Sequence, residues 1–167
     1  MNNNNALEEL GIIHQSLGDY SRAIEYFQQH LSIARQLSDI QSEGKALGNL
    51  GVVYQSLGDY SRAIEYFQQH LLIACQLSDI QSEGKALGNL GVVYQSLGDY
   101  SRAIEYFQQH LLIARQLSDI QSEGNALGNL GVVYQSLGDY SRAIEYFQQH
   151  LLIARQLSDI QSEGNAL

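Results

Sequence analysis

Histidine recurs at positions 30, 70, 110 and 150, the kind of series that could supply metal ligands. Ligands on one zinc ion must each come within about 2.1 Å of it. Equivalent residues on helices stacked side by side stand roughly 8–10 Å apart, so the series cannot converge on one ion. No second His, Cys or carboxylate accompanies any of them at helical spacing, and the histidines read as structural. Cys75, where the other units have Arg35, Arg115 and Arg155, is the one cysteine, and no base is placed for it consistently as a nucleophile would need. Asp59 and Glu65 could suggest paired carboxylates, but Asp59 follows a glycine at a helix start, where a capping role explains it, and Glu65 reads as a solvated helix residue. Tyr60, Tyr66 and Phe67 have core spacing rather than that of a stacking platform. No phosphate loop, catalytic triad or zinc spacing is present. The expectation is therefore no catalytic residue, no metal and no cofactor. The chemistry that remains is hydrogen bonding by repeated amides, above all Asn49, Asn89 and Asn129.

Composition narrows the setting. The 167 residues carry a formal charge of −9, which argues against a nucleic-acid or anionic-membrane binder, because those need clustered Lys and Arg. No apolar run is long enough to span a bilayer, and MNNNNALEEL has neither the basic region nor the apolar core of a signal peptide. A single cysteine fits a reducing, cytoplasmic location. The absence of proline suits uninterrupted helices.

The elements that must carry those amides come from a repeat of forty residues. Residues 86–125 and 126–165 are identical; 46–85 differs from them only at Cys75 and Lys85; 6–45 differs more, at Glu8, Glu9, Ile12, Ile13, His14, Ser32 and Lys45. Such a period predicts an array of stacked units. Each unit reads as two helices. Ile40, Leu47, Leu50, Tyr54 and Leu57 form one face of a helix A over 40–56, and Tyr60, Ala63, Ile64, Phe67, Leu71 and Ala74 form a stripe on a helix B over 60–77. Tyr66, His70, Ile73 and Leu77 widen that stripe until it needs more than one neighbour. Gly58 should take the left-handed conformation that ends helix A, and Asp59 should cap helix B. Ser78 and Asp79 are cap candidates for the next helix A, with Ser78 and Gln81 able to form a capping box.

Asn49-Leu50-Gly51, Tyr54, Gly58-Asp59-Tyr60, Ala63-Ile64, Tyr66-Phe67 and Leu71, recurring in four units, resemble the tetratricopeptide repeat. The forty-residue form is similar to the repeats of Pins-type G-protein signalling modulators, more loosely to kinesin light chains, and to many bacterial arrays. Departures are Leu47 for a large aromatic and His70 for a small alanine. The resemblance implies an all-α, right-handed superhelical α-solenoid with helix A lining a concave groove that binds extended peptides or partner helices, and a scaffold rather than an enzyme.

With Leu47, Leu50 and Tyr54 inward, the other side of helix A presents Lys45, Gly48, Asn49, Val52, Gln55 and Ser56, which match the ligand-facing positions of the family. Repeated, they give Lys85, Gly88, Asn89, Val92 and Gln95, then Asn125, Gly128, Asn129, Val132 and Gln135. An asparagine amide both donates and accepts, so a ladder of them could pair with peptide main chain; the plainer reading is a bond to a neighbouring helix. Gly48 is expected to leave room for a ligand backbone, and Gly51 to let helices A and B approach.

The expected organisation is an Asn-rich, frayed leader at 1–5, an array over 6–159 (units 6–45, 46–85, 86–125 and 126–165), and the start of a truncated fifth repeat at 160–167. Two functions compete: protein or peptide binding in the groove, and a structural module that associates head to tail through uncapped ends as a homo-oligomer.

Overall fold

A computed structural model describes the backbone of residues 3–164 and the side chains of residues 4–158. Among these, the structure is all helix: α1 (Asn3–Ser16), α2 (Tyr20–Gln36), α3 (Ile40–Ser56), α4 (Tyr60–Leu77), α5 (Ile80–Ser96), α6 (Tyr100–Gln116), α7 (Ile120–Ser136) and α8 (Tyr140–Gly164). The ends of α3 and α4 coincide with those expected from the repeat. The chain divides into two compact units, Met1–Asn89 and Leu90–Leu167. In the first, α1 packs on α2, α2 on α3 and α3 on α4; in the second, α6 packs on α7 and α7 on α8. This consecutive helix pairing is that of the α-solenoid class.

Two kinds of joint connect the helices. Inside a hairpin, Gly58 takes φ +74, its N–H bonds to the Gln55 carbonyl (3.0 Å), and the Asp59 N–H reaches back to the Tyr54 carbonyl (2.9 Å). This glycine-closed helix end satisfies carbonyls the last turn would otherwise leave open. The Asp59 side chain then accepts from the Arg62 N–H at 3.2 Å, capping α4. Between hairpins the same loop is closed by serine: Ser38, Ser78 and Ser118 sit at φ 55, 54 and 53. The capping box expected from Ser78 therefore does not form. Asp79 caps instead, accepting from Ser82 N–H at 3.0 Å and from Ser82 Oγ at 2.7 Å. A left-handed serine costs roughly 1–2 kcal/mol, so docking of the next helix must hold the joint.

The core follows from small residues at close approaches. Ala46, Leu50 and Val53 of α3 and Ala63 and Phe67 of α4 are fully buried. Gly51 stands against Phe67, where a Cβ would lie 2.5 Å from the ring. Val53 belongs to the core although it lies outside the expected stripe, because α3 is covered by α2 as well as by α4. Ile40 and Leu57, assigned to that stripe, are exposed at its two ends. Tyr54 and Tyr66 stack with centroids 5.4 Å apart, and the Arg62 guanidinium lies 4.9 Å from the Tyr54 ring centre.

Both termini depart from expectation. The leader is helical from Asn3, and Asn4 is buried; residues 1 and 2 lie outside the described ones. At the other end α8 runs without a turn from Tyr140 to Gly164, so no separate helix begins at 160. Residues 165–167 of the expected fifth repeat lie outside the described residues. A straight helix satisfies its backbone locally and avoids the left-handed serine that the turn would require.

Candidate functional site

Within Met1–Asn89, the outer side of α3 and the first part of α5 border a cleft of about 500 Å³. Lys45, Gly48, Asn49, Val52, Lys85 and Asn89, all expected groove residues, line it. Gln55 and Gly88 are half-buried and lie outside its lining. In the second unit Val92, Gln95, Gly128 and Asn129 are half-buried, whereas Asn125, Val132 and Gln135 are exposed. The Asn125 carboxamide oxygen accepts from Gln121 Nε2 at 3.3 Å.

The helix register brings these groups together. Asp39 caps α3 and so sets its start, which puts Lys45, Asn49 and Val52 on one side by the three- and four-residue period. The side chains of Asn49 and Asn89 make no hydrogen bond among the described residues, so neighbouring helices do not consume them. Lys45 and Lys85 are exposed and form no ion pair among the described residues. Glu8, which stands at the repeat position of Gly48, also lines the cleft, as do Asp79, Gln81, Ser82 and His70, which were not assigned to it from sequence. Asp79 serves the α5 cap, and the Ser82 hydroxyl and N–H hold its carboxyl below the usual range. It therefore stays charged at the cleft wall.

His70 changes the meaning of Gly48. A Cβ at position 48 would lie 3.1 Å from His70 Nδ1 and 3.2 Å from Cε1. Position 128 repeats the arrangement more tightly, at 2.6 Å from His150 Nδ1. The glycine makes room for an imidazole of its own hairpin and also lines the cleft. Sequence held both halves of this pair, a histidine for the usual alanine and a glycine in mid-helix, but on different helices. Gly128→Ala should accordingly leave stability unchanged or lower it, whereas in a His150→Ala background the same change should stabilise by about 1 kcal/mol, the ordinary helix gain of alanine over glycine. Equal stabilisation in both backgrounds, measured by urea unfolding, would refute the packing role.

The imidazole is poorly served there. His70 Nδ1 is buried without a hydrogen-bond partner, and burial lowers the pKa of His70, with Asp79 opposing and Lys85 assisting. His30 and His110 share both properties.

A tetratricopeptide-repeat family model matches residues 3–76 and 82–156. The chain belongs to the tetratricopeptide repeat family. No match is found among curated proteins. Solved structures share the fold of this tetratricopeptide repeat protein at low identity. BtubC (BKLC) from P. vanneervenii is 23% identical with a TM-score of 0.86, over 93% of this chain and 64% of that one. Aspartyl phosphate phosphatase F from Bacillus subtilis is 19% identical with a TM-score of 0.87, over 94% and 41%. A putative kinesin light chain from Podosopora anserina with nearly identical TPR-like repeats is 24% identical with a TM-score of 0.78, over 93% and 78%. The chain thus spans less than two thirds of BtubC and of phosphatase F. No helix among the described residues is long and apolar enough to cross a membrane.

Proposed function

We propose that this tetratricopeptide repeat chain is a non-catalytic, cytoplasmic scaffold that binds an extended protein segment along the helix-A side, with no nucleic acid, membrane or cofactor involved. The observation that carries the reading is the cleft in Met1–Asn89, where Asn49 and Asn89 keep their amides free of internal hydrogen bonds. A carboxamide offers a donor and an acceptor, which is what a peptide unit presents in return. Val52 supplies an apolar contact between them, and Lys45 and Lys85 favour segments with carboxylates near the bound stretch. Asn129 and Gln135 would repeat the chemistry in the second unit. The family's general use as protein-interaction scaffolds supports the assignment.

The test is a peptide selected from a random display library on the wild-type chain. Asn49→Ala with Asn89→Ala should weaken its binding about ten- to thirty-fold, from two lost hydrogen bonds of about 1 kcal/mol each, with the circular dichroism and urea midpoint unchanged. Undiminished affinity in the double variant would overturn the groove reading.

A further inference from the structure

Two helices expose faces that their repeat counterparts bury. Within Leu90–Leu167, α6 and the first seventeen residues of α8 have identical sequences but different surroundings. α6 packs against α7 as well as holding the Phe107 ring against Gly91 of its own hairpin, and Phe107 and Leu111 are 0% and 7% exposed. In α8 the same positions, Phe147 and Leu151, are 37% and 51% exposed, with Ile144 beside them at 56%. Within Met1–Asn89 the converse holds. α3 is covered by both α2 and α4, and Ala46, Leu50 and Val53 are fully buried. Their counterparts in α1 are Ala6, exposed, and Leu10 and Ile13, exposed by 38% and 53%.

We propose that the bare stripe of α8 binds α1 of a second copy of this chain, head to tail. The contact would reproduce the one that α2 makes with α3 and α6 makes with α7. The occupant follows from the residues: the α8 stripe is chemically the same as the α6 stripe, which already accepts a helix A. Among the described residues, α1 is a helix A whose matching face is uncovered, with Leu10 and Ile13 exposed. The straight course of α8 past Ser158 leaves that stripe open.

The strength of the contact can be bounded. Each face offers on the order of a few hundred Å² of apolar surface, well below the roughly 1,600 Å² of a standard stable interface. Ile13 is also a methylene larger than Val53, so the fit is tighter than the internal one. Association should therefore need tens to hundreds of micromolar protein, roughly the range for small interfaces. The contact is apolar and the chain carries −9, so added salt should strengthen it by screening repulsion. The two faces differ, so a dimer leaves one of each free and the mean size should keep rising with concentration.

Sedimentation velocity on the 167-residue chain tests this. Ile13→Lys and Ile144→Lys each change an exposed residue and reduce the net negative charge, so loss of association could not come from added repulsion. Wild type should grow in mean mass with concentration, and each variant alone should remain monomeric. An equal mixture of the two should form a one-to-one dimer that grows no further, because it joins the one intact α1 face to the one intact α8 face. Circular dichroism matching wild type establishes that both variants fold. A wild type that stays monomeric, a single variant that associates like wild type, or a mixture that stays monomeric would each overturn the proposal. Association surviving in Ile13→Lys alone would show that α8 pairs with itself.

Discussion

Gly51→Ala combined with Gly91→Ala should lower the urea midpoint, with a net loss of up to about 4 kcal/mol for the pair. Two effects compete. Alanine improves each helix by about 1 kcal/mol over glycine. Against that, the new Cβ would lie 2.5 Å from the Phe67 ring at position 51 and 2.5 Å from Phe107 at position 91. Ordinary carbon contacts sit near 3.5–4.0 Å, so each ring must move by about an ångström. Both rings are fully buried, so neither has a solvent-open side to move into. Overpacking of this kind costs about 1–3 kcal/mol per site, which outweighs the propensity gain. Gly131→Ala provides the internal control. Its Cβ would also approach a ring, Phe147, at 2.7 Å, but that ring is 37% exposed and can swing outward. It should cost clearly less than Gly91→Ala. A midpoint that rises for the pair, or equal costs at 91 and 131, would show that the glycines do not serve close packing.

The second large effect is loss of stability on mild acidification. His30, His70 and His110 all have a pKa lowered from the ordinary 6.5, chiefly because burial penalises the charged ring. The charged groups around them only partly compensate: Glu8 and Asp39 against Lys45 at His30, Asp79 against Lys85 at His70, and Asp119 at His110. Well above pH 6.5 the three are neutral in both folded and unfolded chains, and their contribution is constant. Below it the unfolded chain takes up protons that the folded chain refuses, so stability falls with pH, by at most about 1.4 kcal/mol per pH unit for each histidine. The capping carboxylates act lower. Asp39, Asp79 and Asp119 are held below 3.8 by Ser42, Ser82 and Ser122, so the stability they add is lost only as pH drops below that value. The interval from pH 6.5 down to about 4.5 therefore isolates the histidines. Thermal midpoints should fall across it, and less steeply in His30→Gln, whose ring is the most completely buried. A flat profile between pH 7.5 and 5 would show that the rings find partners or water on protonation.

Local chemistry was legible where one short segment determines the outcome. Leu57-Gly58-Asp59 supplies both the left-handed residue and the cap that the hairpin needs, and φ +74 with the Asp59–Arg62 bond follows directly. What was not legible depends on contacts between helices. Ser78 reads as an ordinary cap, and only the docking of the following helix makes it left-handed. The Gly48–His70 pair is split between two helices, so each member looked like a separate anomaly. Val53 falls outside a one-sided stripe because α3 is buried from two sides. Lys45, Asn49, Val52, Lys85 and Asn89, read from the period as one side of helix A, line one cleft. The part of its acidic wall supplied by Asp79 was not legible, because that residue comes from a joint, whereas Glu8 stands at the repeat position of Gly48.

The joint QLSDI occurs four times, and the backbone treats it in two ways. At 36–40, 76–80 and 116–120 it breaks with a left-handed serine; at 156–160 the same five residues continue as helix. An identical segment with two structures is a two-position coupling, and its neighbour selects the position. At the three joints that lead into a helix A the coupling bends; within α8 it stays straight and avoids the strain at serine. Removing a hairpin from an end would thus do more than shorten the array: it would convert the newly terminal joint into added helix, so that part of the lost stability is returned locally. Arrays of this sequence would then shed terminal units more easily than internal ones, and each loss would leave a longer last helix as its signature.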